Sequence, residues 1–288
     1  MKYNYEASPQ GIKADSHGKN VNYIFLFSHI SKLLSKKKSI KILEIGCGGG
    51  RNLLAIKQQF KNKVVLFGTD ISQTALNYAK NLKIGKFQVS DSAKIPLKEK
   101  FDFILMIDLL EHLKTKKDAI ETLDNVYKYL NNSQSYLYLS VPIELNTFSL
   151  TWFCHQFPYL KDLTKMFYGH TLQFKINDIL KLINKNYFKI DKIFYSVHFI
   201  SQIQALLFYF IPKTLMRLSL GEKITEDLRD SNEIINNKKH PLLSLIKKVF
   251  VRLGHSLSWL AFKESNLRKN SSFAAENMHL LLERVKSL

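Results

Sequence analysis

The sequence predicts an α/β fold built on a doubly wound, mostly parallel sheet. Three observations carry that prediction. Short apolar runs alternate with helical patterns between residues 39 and 141, as in chains of β-α-β units. Several of these runs end in or beside an acid, at Glu44, Asp70 and Asp91. A glycine run, Gly46-Cys47-Gly48-Gly49-Gly50, follows the first of them and opens directly into a helical pattern. In open parallel sheets, ligands bind outside the carboxyl ends of the strands, which is where these acids and glycines fall.

The elements follow in order. Residues 20–36 carry Ile24, Phe25, Phe27, Ile30, Leu33 and Leu34 at helical spacing. Ser39–Ile45 reads as a buried strand and Asn52–Phe60 as the helix after the glycines. Val64–Asp70 is a second strand, and Ser72 is placed to cap a helix over Gln73–Asn81. Phe87–Ser90 is a short third strand. Phe101–Ile107 is continuous and apolar, as strands covered on both faces are. Thr115–Leu130 is a helix, and Tyr136–Val141 is a fifth strand stopped by Pro142. Residues 143–172 break the rhythm with Phe148, Trp152, Phe153, Phe157, Tyr159, Phe167, Tyr168, His155 and His170; an insert of that length is a candidate lid. Lys175–Asn186 reads as a helix and Tyr187–Val197 as a strand pair. Residues 200–288 read as a helical extension. There Leu242, Leu243, Ile246, Val249, Phe250 and Leu253 form an apolar face beside Lys247, Lys248 and Arg252. Such a helix either packs on its own domain or lies on a membrane surface.

Composition narrows the classes. The 45% apolar and 23% charged content is that of a folded chain. The N-terminal residues show no apolar leader, and no run is long enough to span a membrane. Cys47 and Cys154 lack metal-ligand spacing, so no metal is expected, and a reducing, cytoplasmic setting fits them best. The net charge of +19 is spread along the chain, with seven Lys/Arg against two acids in residues 1–40, 22 against 14 in 41–199 and 14 against eight in 200–288. That field permits a nucleic-acid partner without pointing to one.

Chemistry concentrates at the strand tips. Glycines let a ligand approach backbone closely. Asp70 lies at the end of the next strand, where an acid accepts hydrogen bonds from ribose hydroxyls. Asp91 and Ser92, past the third strand, are placed to reach an adenine edge. Asp108, Glu111 and His112 bring polar groups to the end of the fourth.

This set resembles the class I S-adenosylmethionine-dependent methyltransferases over residues 38–199. Glu44 with Gly46, Gly48 and Gly50 matches the family's acid and Gly-x-Gly-x-Gly. Asp70 matches its ribose acid, Asp91 its adenine-side acid, and Glu111-His112 the Glu-His signature of its small-molecule branch. Ser140-Val141-Pro142 and Gly169-His170, followed by Phe174–Leu182, match later stretches. The resemblance implies a seven-stranded sheet and S-adenosylmethionine as cofactor, bound by Glu44, Gly46, Cys47, Gly48, Gly50, Asp70, Ile71, Asp91, Ser92, Asp108 and His112. It divides the chain into an N-terminal helical segment at 1–37, the cofactor domain at 38–199 with a lid at 143–172, and the extension at 200–288. Charge agrees with it: Glu44 would repel a pyrophosphate but suits a cationic sulfonium ligand. The expected reaction is O-methylation of a small, apolar or lipid-like acceptor, with His170 as general base. Two other readings stay open, an RNA methyltransferase and a non-catalytic cofactor-binding module. Peripheral membrane contact through the extension would accompany a lipid-like acceptor.

Overall fold

The computed structural model describes residues 21–131, 134–158, 160, 169–185, 187–211 and 256–285. The basic amphipathic stretch 242–253, and Tyr159, Phe167 and Tyr168 of the insert, lie outside the described residues.

Helix α1 (Val21–Leu34) leads into β1 (Ile40–Ile45). The glycine loop then turns into α2 (Arg51–Phe60), and β2 (Val64–Asp70) follows. Ser72 caps α3 (Gln73–Asn81), its hydroxyl accepting from the Ala75 N–H, and β3 (Lys86–Val89) comes next. β4 (Phe103–Ile107) ends in a 3-10 turn at Leu110–His112. Thr115 and Asp118 form a reciprocal capping box on α4 (Lys116–Tyr129). β5 (Tyr136–Pro142) runs into the aromatic insert, which carries α5 (Leu150–Cys154). Then come α6 (Ile176–Leu182), β6 (Phe188–Ser196), α7 (Phe199–Ala205), α8 at 256–267, and β7 (Asn277–Arg284).

The seven strands lie in the order β3-β2-β1-β4-β5-β7-β6. The first five are parallel neighbours; β7 is antiparallel to both β5 and β6. The chain winds outward from β1 through β2 to β3, then returns to place β4 on the other side of β1. That reversal opens a crevice at the carboxyl ends of β1 and β4.

Alternate side chains feed two cores. Ile42, Phe103, Leu105 and Tyr138 face α1, α2 and α3, joining Leu26, Ile30, Leu53 and Leu76. Leu43, Ile45, Ile104 and Met106 face α4 and α6, joining Leu123, Val126 and Ile179. Both faces are covered, so the central strands read as unbroken apolar runs.

The C-terminal elements differ from the sequence reading. Tyr187–Val197 is not a strand pair; one strand lies there, and its antiparallel partner is β7, some 80 residues further along the chain. The C-terminal extension is therefore not wholly helical, and it closes the sheet between β5 and β6. α1 packs against the sheet, with Phe25 stacked on Phe194 of β6 at 4.2 Å between ring centroids. A buried polar chain ties β7 in place. His279 Nδ1 meets the Tyr138 hydroxyl at 3.1 Å, and its Nε2 meets the Ser196 hydroxyl at 2.7 Å.

Candidate active site

The crevice begins with the glycine loop. Gly46, Gly48 and Gly50 adopt φ of 74°, 50° and 80°, the left-handed region that penalises side chains. At Gly46 space is short too: a Cβ there would lie 2.9 Å from Leu109 Cδ1. The N–H groups of Gly46 and Cys47 both donate to the Thr69 carbonyl, at 2.8 and 2.9 Å, which ties the loop to β2. Asp70 completes the clamp, accepting from the Gly48 N–H at 2.7 Å and the Ser72 N–H at 2.8 Å. Each carboxylate oxygen accepts more than one hydrogen bond, so Asp70 shapes the loop and retains acceptor capacity for a ligand. Cys47 sits between Gly46 and Gly48 in the loop. Its side chain is buried and turns toward Gly68, where a Cβ would lie 2.7 Å from its sulfur, and burial pushes the thiol pKa up.

Glu44, at the end of β1, is 1% exposed. Asn52 donates its Nδ2 to Glu44 Oε1 at 2.6 Å, and the Tyr23 hydroxyl from α1 donates to Asn52 Oδ1 at 3.1 Å. Glu44 Oε2 is buried with no hydrogen-bond partner. Burial pushes the carboxyl up to about 8, against the pull of the Asn52 hydrogen bond and the Arg51 charge. This corrects the charge argument made from sequence. At neutral pH, without a ligand, Glu44 is mostly a neutral acid, because a desolvated carboxylate with one donor is too costly.

Residues 71 and 90–92 lie further along the crevice. Ile71, next to Asp70, is 64% exposed. The Ser90 N–H donates to the Asp70 carbonyl at 2.9 Å, which brings residues 90–92 alongside. Asp91 is exposed and Ser92 half-buried; one oxygen of Asp91 accepts from the Ala93 N–H at 2.8 Å in a local turn.

On the other side of the crevice, the tip of β4 holds an ionisable cluster. Asp108 adopts φ 51°, and its Oδ1 accepts from the Ser140 hydroxyl at 3.1 Å. The residue keeps an exposed face, yet the protein packed around its carboxyl pushes the pKa up. In the following 3-10 turn Glu111 is buried and His112 half-buried. The N–H groups of Thr171 and Leu172 donate to the Glu111 carbonyl at 2.8 and 2.9 Å, which latches the 169–172 segment onto that turn. His112 Nδ1 lies 3.3 Å from the Gly169 carbonyl, and the His112 and His170 rings meet edge to face at 5.0 Å. His170 Nδ1 lies 2.5 Å from Glu144 Oε1. Burial pulls the His112 pKa down to about 4, so it is a neutral imidazole at physiological pH.

Reading the sequence missed Glu144, Asn52, Tyr23 and Asn277. Glu144 follows Pro142 at the strand end, a position that could have flagged it. Asn277 donates to the Ser140 hydroxyl at 3.4 Å from a strand that periodicity did not reveal. A separate cleft of about 380 Å³ lies between β2, β3 and the 96–99 segment and shares none of these residues.

Comparison with known proteins agrees with this geometry. The sequence model of the methyltransferase-domain family matches residues 21–175, just over half of the chain. The chain belongs to that family, and its fold is the Rossmann-like fold of class I S-adenosylmethionine-dependent methyltransferases. An uncharacterised methyltransferase from Staphylococcus carnosus (strain TM300) is 30% identical over 115 residues, covering 38% of this chain. The match spans about half, 54%, of that relative's own length. Among solved structures, coclaurine N-methyltransferase bound to N-methylheliamine and S-adenosylhomocysteine superposes with a TM-score of 0.50 at 14% identity, covering 90% of this chain and 70% of that one. A Galdieria sulphuraria structure assigned as a sarcosine dimethylglycine methyltransferase gives 0.53 at 11% identity, covering 92% and 84%. At these identities the likeness is one of fold. No helix among the described residues is long and apolar enough to cross a membrane.

Proposed function

We propose that this protein transfers a methyl group from S-adenosylmethionine to a hydroxyl of a small, apolar or lipid-like acceptor. The observation that carries this reading is the His170–Glu144 pair, at 2.5 Å, on the β4–β5 side of the crevice whose other side is the glycine loop and Asp70.

The residues fit the cofactor. Gly46 supplies backbone where a Cβ would collide, Asp70 has acceptor capacity for ribose hydroxyls, and the exposed Ile71 offers an apolar wall for the adenine. Asp91 and Ser92 lie on the adenine side. Glu44 holds an unpartnered buried oxygen that a cationic methionine end would satisfy. The bound cofactor supplies an electrophilic methyl on a sulfonium.

The chain's own residues do the rest. Glu144 accepts from His170 Nδ1–H, which fixes the tautomer with the lone pair on Nε2. His170 Nε2 would take the proton of an acceptor hydroxyl, making its oxygen the nucleophile for the methyl that the cofactor would supply. His112, kept neutral, adds no competing charge. Holding the acceptor in line supplies much of the rate. Support for an apolar acceptor comes from the insert: Phe148 is 65% exposed and lies 5.4 Å from the Phe273 ring, with Phe153 and Phe157 exposed nearby in the chain. Membrane contact would follow if the acceptor is a lipid.

The test is His170→Ala, followed by S-adenosylhomocysteine release with hydroxylated apolar acceptors. Turnover should fall about 100-fold or more, the scale of general-base catalysis, with cofactor affinity changed less than threefold. Full-rate methylation by the variant refutes His170 as the base.

A further inference from the structure

Glu111 has no role in the chemistry above, yet it is the most isolated acid among the described residues. It is 1% exposed, and its carboxylate oxygens have no hydrogen-bond donor beyond the residue's own backbone N–H. A buried carboxylate with so little donor support is costly unless a proton or a cation compensates it. Asp108 and Glu144 lie close enough to add repulsion, not relief. One ligating atom from each of Glu111, His112 and His170 lies within 4.8 Å of the other two.

The two imidazoles are oriented as metal-binding histidines are. A carbonyl only accepts, so His112 Nδ1 must carry the proton it presents to Gly169 at 3.3 Å. Glu144 Oε1 likewise accepts from His170 Nδ1 at 2.5 Å. With Nδ1 as the donor in each contact, Nε2 is the nitrogen that each ring would turn to an ion. A carboxylate or carbonyl behind the ring is the usual outer partner of a ligating histidine, setting its tautomer and raising its basicity. The backbone supports the same set. The 3-10 turn places Glu111 and His112 side by side, and the Thr171 and Leu172 hydrogen bonds to the Glu111 carbonyl hold His170 against them.

We infer that Glu111, His112 and His170 form a site for a divalent transition-series cation, with Glu144 orienting His170. Two imidazole nitrogens and one carboxylate oxygen suit zinc, manganese, iron or cobalt better than calcium, which prefers an all-oxygen shell. Adjacent ligands about 2.1 Å from a shared ion sit roughly 3 to 3.5 Å apart, so the three side chains draw in by about an ångström on binding. The site departs from the expectation of no metal, which considered only cysteine spacing.

The cation would stand where the acceptor hydroxyl is proposed to bind and would lower that hydroxyl's pKa. In that state His170 gives its lone pair to the ion instead of the proton. This consequence rests on the methyltransferase reading; the binding itself does not.

The experiment titrates the chelator-stripped full chain with zinc chloride and, separately, manganese chloride in a calorimeter. One ion per chain is expected for at least one metal, weakened tenfold or more by Glu111→Gln and by His170→Ala. Glu111→Gln should leave the circular dichroism spectrum unchanged. Cobalt chloride added to the unmutated chain should give visible bands of a nitrogen–oxygen site, which needs no variant. Absent binding, equal binding by both variants, or cobalt spectra of the aqueous ion overturns the inference. S-adenosylhomocysteine binding is measured on the same samples: its retention without metal binding sinks only the cation site, and metal binding without it sinks only the proposed function.

Discussion

Replacing Glu44 with glutamine should make the ligand-free protein more stable while weakening its hold on the cofactor. The carboxyl is raised from an ordinary 4.5 to about 8 by burial. A raised folded value means stability that is fully present below pH 4.5 and lost as pH rises toward 8. At pH 7 the unfolded chain has released the proton and the folded chain mostly retains it. At about 1.36 kcal/mol per pH unit over the interval from 4.5 to 7, this opposes folding by about 3 kcal/mol. Glutamine is neutral at every pH, and its carbonyl still accepts from Asn52. Thermal unfolding of Glu44→Gln at pH 7.5 should therefore rise by about 5 to 10 °C, with little difference at pH 4.5. Cofactor binding adds a second readout. If the sulfonium ligand's cationic end ionises Glu44, the wild type releases up to about 0.9 proton at pH 7. Calorimetry in buffers of different ionisation enthalpy measures that number. The variant should release fewer protons and bind more weakly. Equal melting temperatures across the pH range, or equal proton release, would refute the reasoning.

Other outcomes follow from the same geometry. Asp70→Ala removes the acceptor for Gly48 and Ser72 as well as the proposed ribose contact, so S-adenosylmethionine affinity should fall at least tenfold in calorimetry; unchanged affinity with an intact fold rules out the cofactor placement. His279 is fully buried, and burial pulls its pKa down to about 3 from 6.5. A depressed histidine contributes stability above pH 6.5 that is lost as pH falls toward 3, about 2 kcal/mol by pH 5. His279→Leu should flatten that acid limb. It should also lose about 1 to 3 kcal/mol at pH 7.5 by stranding the Tyr138 and Ser196 hydroxyls. Chemical denaturation at both pH values reads the two effects.

Much of this architecture was legible in the chain itself. β1 to β5 and the helices between them follow from local periodicity, and ends moved by only a residue or two except at α6, which stops at Leu182. Ser72 and Thr115 cap the helices they precede because capping needs only a hydroxyl and the next turn. The glycine loop was readable for a similar reason: left-handed backbone at Gly46, Gly48 and Gly50 is a property of single residues. Asp70 was placed at the right strand tip because strand length sets where a strand ends.

What stayed hidden depends on partners distant in sequence. Met278–Leu282 is apolar except for His279, and nothing local distinguishes a doubly covered strand from a buried helix segment; only pairing with β5 and β6 makes it β7. Glu144 and His170 stand 26 residues apart, and their meeting depends on the latch between the 169–172 segment and the turn after β4. The protonation of Glu44 and the isolation of Glu111 are properties of desolvation, which the sequence cannot express until packing removes the water. The sequence by itself determined the α/β order, the glycine cradle and the family of the chain, because these rest on local backbone preference and ordered spacing. Only the tertiary structure decided that α1 packs on the sheet and that β7 completes it, which acids are buried, and which histidines they face, because burial and long-range contact set those energies.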